Sequence, residues 1–207
     1  MEEHEVKVIL LGSSSVGKTC VINRYTKDEF TQSTMATVSA GFQLKEVRIG
    51  QYSVKMQLWD TAGQERFASL SKMFYRGCHA CIFVFDLSEP RTLQALYKWR
   101  TEFIDIGTYD KDLIPPMFLV GNKKDLKKST KVTPTDVENW INNEEIGYFM
   151  VSAYKCIGIN EMFEAICEKA LHFKMKLANK KEIPTLLAEK EDDDNPTKEN
   201  KDSSCCS

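Results

Sequence analysis

Near its start the chain carries Gly12-Ser13-Ser14-Ser15-Val16-Gly17-Lys18-Thr19, which fits the phosphate-loop pattern G-x-x-x-x-G-K-[ST]. Gly12 and Gly17 let the backbone turn tightly with its N–H groups pointing inward, which makes a concave site for anions. The phosphate-binding set is Ser14, Ser15, Val16, Gly17, Lys18, Thr19 and Cys20. Lys18 is the point charge on β- and γ-phosphates. Thr19 offers its hydroxyl to Mg²⁺, an ion that keeps several waters and takes few protein ligands.

A second segment, Trp59-Asp60-Thr61-Ala62-Gly63-Gln64-Glu65, supplies the groups a terminal phosphate needs. Asp60 ends an alternating run, which puts its carboxylate at the mouth of a parallel sheet, where it would hold magnesium through a water. Gly63 has no side chain to shield its N–H, so it can bond a γ-phosphate. Gln64 carries both a donor and an acceptor, which suits it to orient an attacking water. Alone, Asp60 reads as a strand-end cap and Gln64 as a surface residue; following a phosphate loop they read as a site.

Asn122-Lys123-Lys124-Asp125 also follows a strand-like run. The Asp125 carboxylate can accept from guanine N1–H and the exocyclic amine. Adenine has no such donor pair, so Asp125 discriminates between the purines. Asn122 and Lys123 would brace the site and cover one face of the base, and Ser152-Ala153 could give a backbone N–H to the base carbonyl. Asn-Lys-x-Asp by itself is equally at home in a charged turn; its strand-end position is what gives it weight.

These residues need elements to hold them. Val6 to Leu11 reads as a buried strand and about Lys18 to Tyr25 as a helix, the context that supports a phosphate loop. Val54 to Trp59, Ile82 to Leu87, Met117 to Val120 and Tyr148 to Val151 read as further strands. Thr92 to Ile106 and Asn160 to Met175 read as helices. Thr133-Pro134-Thr135-Asp136 is a helix start, with a capping hydroxyl, proline and an acid in the first turn. Val47 to Ser53 reads as a hairpin turn. The alternation predicts an α/β fold of the P-loop nucleotide-hydrolase kind, with a six-stranded, mostly parallel sheet covered by helices on both faces.

On these segments the sequence resembles the Ras superfamily of small GTPases, and within it the Rab family, over about Glu5 to Phe173. Met56 to Trp59, Arg66 to Leu70, Phe74 to Gly77 and Phe83 to Ser88 resemble Rab switch signatures. The resemblance implies a GTP/GDP cycle with magnesium, slow GTP hydrolysis without help, and a role in vesicle and membrane traffic. It implies that Phe30 stacks on guanine, that Thr37 bonds magnesium and γ-phosphate, and that Phe42, Trp59 and Phe74 meet effectors. For those three aromatics, core packing is the plainer alternative. The implied partners are a guanine-nucleotide exchange factor, a GTPase-activating protein, Rab escort protein with geranylgeranyl transferase, GDP-dissociation inhibitor and effectors.

Three departures stand out. Thr37-Val38-Ser39-Ala40-Gly41-Phe42 lacks the acidic residue usual before the phenylalanine. Ser13 stands where many Rabs have aspartate. Tyr154, placed beside the guanine with Ser152 and Ala153, stands where lysine is usual, so that side of the base pocket is a different lid.

The chain has 207 residues, enough for one domain and a tail, and its net charge of −2 gives no argument for nucleic acid. No run of eighteen apolar residues exists, and the acidic Met1-Glu2-Glu3-His4-Glu5 lacks the features of a signal peptide. Cys78 and Cys81 are spaced C-x-x-C without a second pair. Residues 1–177 are expected to form the GTPase domain. Residues 178–207 are expected to be a disordered tail, since Glu189 to Asp202 has no large apolar residue. The Ser204-Cys205-Cys206-Ser207 end resembles the Rab dicysteine ending, which implies geranylgeranyl groups on Cys205 and Cys206. Two chains anchor stably where one does not. The implied location is the cytoplasmic face of endomembranes, cycling with cytosol, with an endolysosomal lean. Two rival readings remain: a nucleotide-locked binding module, and an adenine-using ATPase.

Overall fold

The computed structural model of the protein describes residues 2–31, 41–61, 74–107 and 113–191, the stretch 181–191 as backbone alone. Thr37, Gly63 and Gln64 lie outside the described residues, as do Cys205 and Cys206. Contacts divide the chain into two units, Met1–Lys174 and Met175–Ser207.

Within the first unit the strands are β1 (Glu2–Leu11), β2 (Gly41–Ile49), β3 (Tyr52–Asp60), β4 (Ala80–Asp86), β5 (Met117–Asn122) and β6 (Gly147–Met150). The helices are α1 (Lys18–Lys27), α2 (Pro90–Gly107), α3 (Pro134–Ile141) and α4, which begins at Ile159. The sheet has six strands in the order β2-β3-β1-β4-β5-β6. Every pair is parallel except β2–β3, the expected hairpin, whose turn is made by Gly50 at φ +58°.

Burial on both faces follows from the sequence pattern. β4 and β5 are buried at every position, as strands covered on two sides must be. On one face Ile9, Leu11, Phe83 and Phe85 pack with Leu96 and Phe103 of α2 and Trp140 of α3. On the other, Val8 and Leu10 alternate with those residues and are also fully buried. There Tyr25 of α1 stacks on Phe163 of α4 with ring centroids 4.1 Å apart. α3 starts as its sequence suggests: Thr133 and Asp136 exchange side-chain-to-backbone hydrogen bonds in a capping box that spans Pro134, the first helical residue.

Two elements outrun their expected limits. β1 begins at Glu2 because it pairs with β3 from Glu2↔Tyr52 onward. α4 is helical to Glu191, well past Met175. Its continuation is rich in Leu, Ala, Lys and Glu, which are strong helix formers, and they outweigh Pro184.

Candidate nucleotide site

Because the strands around β1 run parallel, Leu11, Asp60, Asn122 and Met150 end at the same edge of the sheet, where ligands of such folds bind. The loop from Gly12 to Gly17 leaves β1 there. Gly12 adopts φ +146° with the Val84 carbonyl so close that any Cβ would collide with it. Ser15 and Gly17 also have positive φ, at +62° and +96°. This backbone turns sharply into the N-terminus of α1, whose partial positive charge favours anions.

Lys18 is only 5% exposed. Its Nζ donates to the carbonyls of Gly12 at 2.7 Å and Ser13 at 3.0 Å, which hold the ammonium inside the loop. Burial lowers its pKa to about 8, with the Asp60 charge pulling the other way. Thr19 Oγ1 donates to Asp60 Oδ2 at 2.6 Å. Burial raises the Asp60 pKa, opposed by that hydrogen bond and by Lys18. The other Asp60 oxygen, Oδ1, is buried with no hydrogen-bond partner among the described residues. A buried carboxylate oxygen left unpaired demands a ligand or water, and beside a threonine hydroxyl it suits a hydrated divalent cation.

The base end is a cleft of about 520 Å³, lined by Ser15, Phe30, Lys123, Asp125, Leu126 and Tyr154 among others, a size that takes a small organic ligand. Asp125 is oriented by Ser152, whose Oγ donates to its Oδ1 at 2.5 Å. Asn122 is a brace. Its Nδ2 donates to the Val16 carbonyl at 2.9 Å, and its Oδ1 accepts the Ala153 N–H at 3.2 Å. The phosphate loop and the loop after β6 are therefore tied through one side chain. The Ser152 N–H donates to the Ile157 carbonyl at 3.0 Å, so it is not available to a base carbonyl as expected from the sequence. Ala153 lines the cleft, but its N–H is shared with Asn122.

Some contributors carried only weak sequence signals. Asp86, at the end of β4, pairs with Lys123 at 2.7 Å. Burial pushes the Asp86 carboxyl up, but hydrogen bonds from Lys123 and Ser88 outweigh it and hold it below the usual range. Its strand-end place was the available clue. Arg24 donates to the Ala153 carbonyl at 2.8 Å, and nothing in its helical neighbours points to that contact.

A second feature lies on the outer face of β2 and β3. Phe42 stacks on Trp59 at 4.9 Å, and Phe74 meets Trp59 at 5.1 Å. Phe42 is 51% exposed, whereas Trp59 and Phe74 are half-buried and Trp59 also packs against the core, so the cluster joins core to surface. The Lys7 ammonium sits 5.0 Å from the centre of the Trp59 ring.

A glycine loop with a buried lysine, a Thr–Asp pair beside it and an oriented carboxylate in an adjoining cleft define a P-loop nucleotide-binding protein. The Ras family model matches residues 7–172. The chain is similar to a Ras-related protein Rab-7b of Paramecium octaurelia, 38% identical over 97% of this chain and 96% of that one. It is similar to the Ypt/Rab-type GTPase ypt7 of Pyricularia oryzae, 42% identical over 80% and 82% of the two chains. It is also similar to the GTP-binding protein YPTC5 of Chlamydomonas reinhardtii, 38% identical over 97% and 96%. The chain belongs to the Rab family of the Ras superfamily: it is a small GTPase that binds and hydrolyses GTP and regulates membrane traffic.

Proposed function

We propose that the residues assembled here divide the work of a Rab switch as follows. Lys18 and the N–H groups of Ser14 to Cys20 hold the phosphates. Thr19 would hold Mg²⁺ directly and Asp60 through a water, with Thr37 completing the set; such an ion would supply positive charge to offset that of the β- and γ-phosphates. Asp125, oriented by Ser152, accepts from guanine. Phe30, Lys123, Ala153 and Tyr154 enclose the base, and Asn122 ties the two halves together. Gln64 aims the attacking water, and Thr37 and Gly63 report the γ-phosphate. The observation that carries this reading is the part-buried Thr19–Asp60 pair, with the buried, unpaired Oδ1 of Asp60 beside Lys18.

No arginine of this chain is assigned to the transferred phosphate, so hydrolysis is slow, roughly 10⁻³ to 10⁻⁴ s⁻¹ as for Ras, until a GTPase-activating protein supplies a charge. An exchange factor reloads the site, and GDP-dissociation inhibitor and escort protein handle the lipidated chain. Phe42, Trp59 and Phe74 receive effectors, a reading supported by the ring contacts that Trp59 makes with both and by the exposure of Phe42. Geranylgeranyl groups on Cys205 and Cys206 hold the protein to the cytoplasmic face of endomembranes. The endolysosomal lean rests on the Trp99 to Phe103 stretch and the turn up to Pro115-Pro116, which resemble late-endosomal Rabs, set against Ala40-Gly41-Phe42, which resembles early-endosomal ones.

Nucleotide exchange with magnesium, comparing GDP, GTP and ATP, tests the site. Guanine nucleotides are expected to displace each other while ATP does not, and Asp125→Asn is expected to weaken guanine binding. Single-turnover hydrolysis tests the chemistry: Gln64→Leu is expected to stall with GTP bound, and normal turnover by that variant would remove Gln64 from its role.

A further inference from the structure

We infer that Tyr154 is a nucleotide-retaining residue: its ring, set against Phe30, forms an aromatic corner that grips the purine base and sets how slowly a guanine nucleotide leaves. This rests on the guanine-site reading above and extends it, separating the residue that governs residence from the one that governs choice.

The backbone under the ring is fixed. Ser152 is fully buried and exchanges both its N–H and carbonyl with Ile157, each at 3.0 Å. Arg24 reaches across from α1 to the carbonyls of Ala153 at 2.8 Å and Tyr154 at 3.5 Å. Above this anchored backbone the Tyr154 side chain is still 53% exposed. An exposed tyrosine on a surface turn usually has water around it. Here Phe30 meets the ring edge-on, centroids 5.1 Å apart at 62°, and the Lys155 ammonium lies 4.5 Å from its centroid.

These contacts orient the ring without covering it. A cation over one face favours that face electrostatically and leaves the other face, and the edge shared with Phe30, to meet a planar ligand. Both rings line the cleft that Asp125 lines. A tyrosine has only two side-chain torsions, and this one is already restrained, so gripping a base costs little further ordering. Stacking does not distinguish guanine from adenine, because every base has a π-face. Tyr154 therefore controls the rate of release, and Asp125 controls which purine is taken.

The full chain, loaded with a fluorescent GDP and magnesium and chased with unlabelled GDP, gives the release rate directly. Tyr154→Ala is expected to release about tenfold faster, in line with the loss of one stacked ring. Tyr154→Phe is expected to restore slow release, and the nucleotide-free thermal midpoint of Tyr154→Ala to match the parent chain. Release from Tyr154→Ala at the parent rate overturns the inference. So does Tyr154→Phe releasing as fast as Tyr154→Ala, because the ring and not the hydroxyl is invoked, or a lowered midpoint that accounts for the faster release. If the parent chain shows no preference for GDP over ATP, or Asp125→Asn keeps that preference, the guanine-site reading fails first and takes this inference with it.

Discussion

At the scale of single residues, Asn122 is the most consequential side chain that does not belong to the phosphate loop. Both ends of its amide are used, on Val16 and on Ala153, and it is 3% exposed. Truncation leaves a buried carbonyl and a buried N–H without partners, so Asn122→Ala is expected to cost about 2–3 kcal/mol in urea unfolding. His79 makes a different prediction. Its Nδ1 accepts the Lys7 N–H at 2.9 Å. Burial, followed by the nearby Lys174 and Lys7 charges, lowers its pKa from 6.5 to about 4, with Glu5 opposing. The unfolded chain therefore binds the extra proton first as pH falls. Stability is expected to decline from pH 6.5 toward 4, by on the order of 2 kcal/mol, and to level off below that window. His79→Gln, which keeps an acceptor, is expected to flatten that part of a stability-versus-pH curve.

At the scale of elements, legibility depended on whether the signal was local. α3 was readable from four residues, because a capping box is a local hydrogen-bond exchange. Thr133→Ala is expected to cost about 1 kcal/mol, measured as a lower unfolding midpoint. The start of β1 was not readable. Glu2, Glu3 and His4 have no strand signature of their own and are extended only because β3 lies alongside. The two readings of Phe42 and Trp59 needed pairing register, which puts them opposite each other on one outer face. Gln43 shows how β2, the edge strand, is held from its other face. It accepts from Thr26 of α1 at 2.7 Å and donates to Asn23 at 2.6 Å. No periodicity announces that clamp, since each partner is an ordinary polar residue until the strand is laid against the helix. At the site, phosphate and base motifs were legible because their chemistry sits in contiguous residues. The Asp86–Lys123 pair and the Arg24 contact join distant segments and became visible only on folding.

At the scale of the molecule, the groups that make the site are each anchored to different strands, so the sheet must be intact for the site to exist. A ligand that binds only this arrangement stabilises the whole chain by mass action, about 4 kcal/mol at a thousandfold excess over its Kd. GDP with magnesium is therefore expected to raise the thermal midpoint by several degrees, ATP to leave it unchanged, and a chelator to reverse much of the gain. The reversal belongs to the Thr19–Asp60 pair: an effect of GDP that is indifferent to chelation would detach the metal from that pair.

Trp59 and Asp60 are neighbours on β3 and, as consecutive strand residues, point to opposite sides of the sheet. Asp60 is tied to Thr19, and Trp59 lies between Phe42 and Phe74. One peptide bond thus separates the inner chemistry from the outer patch. Any tilt of that peptide is registered on both sides in the same instant, with no relay of intermediates to tune or to interrupt. Evolution can rewrite the outer patch through side chains, but it cannot insulate the patch from the site without rebuilding the strand.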